Sequence, residues 1–244
     1  MARGKLAVGY ATDVNLGTAG GLFLMSLTNT IDDDWRHARR IKGRRIHVLS
    51  GGGGVDQARN DIAAEFLAMP EKPEWLLMVD ADMIWKPSDL TRLFEAADEE
   101  TRPILGALCF CARLDDDNVW PALLVDDGEG HLARVRDYPR GQIVTVTATG
   151  AAFLLVHRRV FERVAAAFPP DRPRVFFAIS YVGGERIGED VHFLLACGRL
   201  GIPVHVHTGI CVNHGKVKLV NEATYDEMLN RKRQRDRAEL RLAQ

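Results

Sequence analysis

Long hydrophobic runs are missing from this sequence, and with them any stretch of the roughly 18 apolar residues that a membrane-spanning helix needs. The first ten residues, Met1 to Tyr10, contain no apolar leader core. An excess of either charge is missing too: 32 lysines and arginines stand against 33 aspartates and glutamates, for a net charge of −1. That balance excludes a polybasic nucleic-acid binder and an acidic solvating chain, though not a local patch. Cysteine is scarce. Cys109, Cys111, Cys197 and Cys211 form no C-x-x-C pair, so a zinc knuckle or a thioredoxin-like site lacks its spacing. Four cysteines in 244 residues do not make a disulfide framework and read as thiols in a reducing compartment. These absences predict a soluble, cytoplasmic protein. What is present is ordinary globular composition, 46% hydrophobic and 27% charged, in a chain long enough to bury a core without staples.

Strand and helix signals alternate through the first half. Leu6 to Tyr10, Arg45 to Ser50, Trp75 to Asp80 and Ile104 to Phe110 read as strands. Trp75 to Val79 is continuously apolar, as in a strand covered on both faces. Val55 to Met69 has apolar residues at helical spacing, and Ser88 to Ala97 reads as a helix capped by Ser88. The pattern predicts an α/β fold with a doubly wound, mostly parallel sheet. The second half is less regular. Asp115 to Arg140 is an acidic, turn-rich excursion, Gln142 to Thr149 alternates as a strand, and Ala151 to Val156 is apolar. Arg158 to Phe168 is helical. Pro169 to Gly188 is a long loop of the kind that carries function. Val191 to Leu200 is a helix, Ile202 to Val206 a strand, and Glu222 to Leu242 a charged terminal helix. One domain over residues 1–220 with a helical tail over 221–244 is expected.

Four groups of residues suggest chemistry. Asp80-Ala81-Asp82 ends an apolar strand, where open α/β sheets bind ligands. Two carboxylates two apart on extended backbone face one way and form a hard oxygen site for Mg²⁺ or Mn²⁺. The small Ala81 leaves room for a phosphate. The competing reading is a pair of solvated turn residues. Asp56 to Asn60 opens a helix after four glycines, a start that favours an anion, with Arg59 as a phosphate clamp or as the partner of Asp56. Glu189 and Asp190 enter a helix after a glycine-rich loop, as caps or as a general base. His205, His207 and His214 lie on or just after the last strand. An imidazole there is a third ligand for a cation held by carboxylates, or a hydrogen-bonded histidine.

In their order along the chain these elements resemble the GT-A superfamily of nucleotide-sugar glycosyltransferases, in its broad family-2-like group. The resemblance runs from Ala58-Arg59-Asn60 through Asp80-Ala81-Asp82, Ile104 to Ala107 and Thr149 to Leu155. It continues through Arg158 to Phe161 and Gly188 to Val191 to His214-Gly215. It implies a Rossmann-like domain that moves a sugar from a UDP- or GDP-type donor to an acceptor hydroxyl. It implies Mn²⁺ or Mg²⁺ on Asp80 and Asp82, with Asp82 the direct ligand, Asp80 nearer the ribose or a metal-bound water, and His214 the third ligand. Asp190, with Glu189 beside it, corresponds to the base that activates the acceptor. Thr12 and Asp13 correspond to the nucleoside grip, Arg59 and Asn60 fall at the diphosphate, and Thr149 and Gly150 border sugar and acceptor. The Q-x-x-R-W signature of processive polymer synthases is absent.

Two other readings share part of the pattern. Haloacid-dehalogenase-like phosphatases carry D-x-D after a strand, but usually at the start of the chain. A non-catalytic nucleotide-sugar-binding protein would keep the fold without turnover. Arg231 to Arg237 holds five basic residues in seven, which reads as a solvated helix face. Its functional counterpart is a steering surface for DNA carrying a modified base as acceptor.

Overall fold

The structure, a computed structural model, describes residues 4–13, 17–50, 54–112, 119–168, 175–182 and 184–215. The expected tail helix, its basic run, Gly51 to Gly53 and Asp115 to Asp117 lie outside the described residues. The elements in chain order begin with β1 (Leu6–Thr12), α1 (Gly17–His37), β2 (Arg45–Leu49), α2 (Gly54–Ala68) and β3 (Trp75–Val79). Then come β4 (Met83–Ile84), α3 (Pro87–Ala96), β5 (Ile104–Leu108), β6 (Phe110–Ala112) and β7 (Val119–Pro121). β8 (Leu123–Asp126), β9 (Leu132–Arg134), β10 (Ile143–Val146), β11 (Ala148–Thr149), β12 (Phe153–His157) and α4 (Arg158–Ala166) follow. β13 (Ser180–Val182), β14 (Glu185–Ile187), α5 (Glu189–Arg199), β15 (Val204–Cys211) and β16 (Asn213–His214) come last.

Seven strands form the central sheet in the order β10-β15-β5-β12-β3-β1-β2. β1, β2, β3, β5 and β15 are parallel, while β12 and β10 run against them. The period-2 geometry of a strand sorts its side chains into two layers. Trp75, Leu77 and Val79 of β3 join one apolar cluster with Phe23 of α1 and Phe94 of α3. Leu76 and Met78 join the other with Ile62 and Phe66 of α2 and Phe161 of α4. A one-residue slip in β3 would exchange both sets, so burial on both faces fixes its register. The result is an α/β/α arrangement of the expected class, with a mostly parallel sheet.

Some local expectations change. Helix α3 is not capped by Ser88. It starts at Pro87, and the Asp89 carboxylate accepts the Lys86 N–H at 2.9 Å. Proline suits the first helical position because its missing N–H would have had no helical partner. The alternating stretch Gln142 to Thr149 is two strands. β10 stays at the edge of the central sheet, and Thr147 turns the chain so that β11 joins β8 and β9 in a small second sheet. The acidic excursion is, where described, this sheet together with the β6–β7 pair. The Pro169 to Gly188 loop contains the β13–β14 hairpin.

Glycine decides one packing contact. A Cβ on Gly9 of β1 would sit 2.4 Å from Cγ2 of Ile62, so α2 lies directly on the strand there. Gly9→Ala is expected to lower unfolding stability by about 1–3 kcal/mol through overpacking, read as a lower urea midpoint with an unchanged slope. An unchanged midpoint would mean α2 does not press on β1.

Candidate active site

Arg59 is the centre of the first polar group. It projects from α2, and its side chain is only 7% exposed. Nη2 donates to Oδ1 of Asp80 at 2.7 Å, and Nη1 donates to Oε1 of Glu189. The local Asp56–Arg59 pairing is replaced by these two long-range ones. Three elements meet here: the first turns of α2, the end of β3 and the start of α5. Burial depresses the guanidinium's affinity for its proton, but Asp80, Asp190 and Glu189 more than compensate, so its pKa is raised. Burial pushes the Glu189 carboxyl up despite the nearby Arg59 charge.

The second group lies two residues further along. The backbone is not extended through Asp80-Ala81-Asp82. The Met83 N–H donates to the Asp80 carbonyl at 3.1 Å, which closes a turn and sends the two carboxylates different ways. Asp80 goes to Arg59. Oδ2 of Asp82 lies 2.9 Å from Nε2 of His214. The sequence separation of 132 between these two residues is bridged by pairing of β16 with β4, in which His214 stands opposite Met83. The Gly215 N–H closes the pair by donating to the Asp82 carbonyl at 2.7 Å. A Cβ on Gly215 would stand 3.0 Å from that of Ala19 and 3.1 Å from the Asp82 carbonyl oxygen.

The His214 ring is held by its other nitrogen. Nδ1 lies 2.9 Å from the Phe110 carbonyl oxygen, which can only accept, so Nδ1 carries a proton. This is the usual posture of a metal-ligating histidine, with one ring nitrogen tied to a carbonyl and the other facing the ion. His205 and His207 are elsewhere. The His207 Nδ1 accepts the Gly209 N–H at 3.1 Å, and burial, with Arg102 nearby, holds the His205 imidazole below its ordinary pKa. Among the described residues, no three histidine, cysteine or acidic side chains gather as a metal cluster. Of the expected trio, Asp82 and His214 stand together, and Asp80, the other carboxylate, faces Arg59.

Asp190 begins the third group. Its Oδ1 accepts the Val191 N–H at 2.7 Å, and its Oδ2 faces Gly150. Both residues line a cavity of about 610 Å³ shared with Thr149. The Thr149 hydroxyl donates to the Ala122 carbonyl at 2.6 Å, so its side chain fixes this wall. Asn60 is occupied by backbone: it donates to the Asp56 and Phe177 carbonyls and accepts from the Phe176 and Phe177 N–H groups. The Thr12 hydroxyl is 2.7 Å from Nε2 of His47, a residue the motif reading did not single out. Asp13 is exposed at the end of β1, and Ala81 is half-buried between the two carboxylates. Trp120 and Arg134, which also line the cavity, carried no recognisable motif.

Solved structures share this architecture, two of them as follows. One is A197 from STIV, at 14% identity and TM-score 0.51 over 89% of this chain and 87% of that one. The other is GalNAc-T7, crystallised with UDP, GalNAc and Mn²⁺, at 12% identity and TM-score 0.57 over 88% of this chain. The chain spans 44% of the length of GalNAc-T7. No protein-family model matches the sequence, and no curated protein matches it. At these identities the likeness establishes the fold, which is GT-A-like. None of the helices among the described residues is long and apolar enough to cross a membrane.

Removing the buried cation would leave Asp80 and Glu189 facing each other. Arg59→Met is expected to cost about 3–5 kcal/mol, measured by denaturant unfolding. Adding Glu189→Gln and Asp80→Asn to that variant should recover part of the loss. A single variant as stable as the parent would remove Arg59 from the centre of the site.

Proposed function

We propose that the protein is a metal-dependent glycosyltransferase that moves a sugar from a nucleoside-diphosphate sugar, of UDP or GDP type, to an acceptor hydroxyl. The observation that carries this reading is the Asp82–His214 pair, 2.9 Å apart at the carboxyl end of β3. A carboxylate oxygen suits Mn²⁺ or Mg²⁺, an oriented imidazole favours Mn²⁺ of the two, and either ion completes its coordination with water and substrate phosphates. GalNAc-T7 carries that kind of ligand set, a nucleotide, a sugar and Mn²⁺, on the shared fold. When bound, the cation would offset the charge that develops on the departing diphosphate.

The chain's own residues supply the rest. Asp82 and His214 hold the cation. Arg59 fixes the direction of Asp80 and Glu189, and the buried ion pairs keep those carboxylates from swinging into the donor site. Asp80 then borders the nucleoside, with Thr12 and Asp13 at the neighbouring strand end. Asp190, with its Oδ2 toward Gly150, takes the proton of the acceptor hydroxyl. The acceptor oxygen bonds to the anomeric carbon as the bond from that carbon to the phosphate oxygen breaks, and the nucleoside diphosphate leaves. An in-line attack of this kind inverts the anomeric centre. The β13–β14 hairpin flanks the cavity and would limit water, and so donor hydrolysis.

The deciding experiment is a panel of donors with Mn²⁺ or Mg²⁺, read as release of free nucleoside diphosphate. Asp82→Asn is expected to lower turnover by about 100-fold or more with the fold intact, and EDTA should abolish activity. Full activity in EDTA would end the metal assignment, and no release from any donor would favour a binding protein. Asp190→Asn should lower turnover by about 10²–10⁴-fold while donor affinity by calorimetry stays the same. Lost donor affinity would instead place Asp190 at the nucleotide.

A further inference from the structure

The cavity beyond Asp190 has walls of a definite chemistry. Its volume of about 610 Å³ falls in the range that holds a small organic ligand. Leu124 of β8, Leu132 of β9 and Ile187 of β14 give it apolar sides. Trp120 of β7 offers an indole, and the Arg134 guanidinium carbon lies 4.6 Å from the centre of that ring. Arg186 of β14 reaches the same space. Among the described residues, neither Arg134 nor Arg186 forms an ion pair, whereas Arg59 and Arg159 both do. Among the described residues, the carboxylates lining the cavity are Asp190 and Glu185.

An acceptor needs only a hydroxyl near Asp190, and these walls ask for more. An indole with a guanidinium against it recognises a flat ring, by stacking and by cation–π attraction. Guanidiniums without carboxylate partners favour an anion, which they can bind through paired N–H groups. We propose that this cavity selects an acceptor built on a flat, apolar-faced ring that carries both the reacting hydroxyl and an anionic group, with the ring on Trp120 and the anion between Arg134 and Arg186. The selection of an acceptor rests on the glycosyltransferase reading; the ligand class rests on the cavity alone.

The test is calorimetric titration without donor, using three probes. 4-(Hydroxymethyl)benzoate carries ring, hydroxyl and anion. 1,4-Benzenedimethanol lacks the charge, and glycolate lacks the ring. The benzoate should bind about tenfold more tightly than either of the others. Trp120→Ala should weaken the benzoate and the diol together, with Trp120→Phe restoring most of the loss. Arg134→Gln and Arg186→Gln, both exposed positions, should weaken the benzoate alone. Equal binding of benzoate and diol, indifference to all three sites, or no binding of any probe at millimolar concentration would overturn the proposal. Release of nucleoside diphosphate from the donor panel is read separately. Selective binding without turnover would sink the transferase reading, and turnover without selective binding would sink this one.

Discussion

A positive charge buried in the interior must be answered, and the answer organises this site. The Arg59 guanidinium is nearly sealed from water. Leaving it unpaired would cost several kcal/mol, so the fold is constrained to bring carboxylates to it. Those carboxylates come from the end of β3 and the start of α5, elements far apart in the chain. Three secondary-structure ends are thereby held in one register around a single fork of N–H donors. A lysine there would offer a point charge without the two-direction geometry.

That constraint divides the neighbouring acidic triplet. With Asp80 drawn to Arg59 and the chain turning at once, Asp82 projects toward β16. One short segment thus serves two purposes, tying the strand end to the helical layer and presenting a carboxylate to His214.

Much of this was legible in the sequence because it sits where regular elements stop. The continuous apolar run of β3 announced a strand buried on both faces, and so announced the importance of the acids that follow it. His214 was legible as the polar end of an alternating stretch. What was not legible is pairing across distance. Nothing in a helix-start arginine says whether it meets phosphate, a near neighbour or a carboxylate 130 positions away. Asn60 reads like a ligand-binding amide, yet its donors and acceptor hold the backbone of a segment more than a hundred residues on. The cavity wall was hidden for another reason. Trp120 and Arg134 lie on strands of three residues, too short for periodicity to register.

The strand that brings in His214 is only two residues long, and it follows the last strand of the central sheet. All seven sheet strands are complete by Cys211, so the hydrophobic architecture has no need of Asn213, His214 or Gly215. The His214 half of the proposed pair is therefore written into a stretch separate from the sheet strands, while its Asp82 half follows directly on one of them. A substitution of the His214 side chain would alter the proposed pair while leaving all seven strands of the central sheet in place.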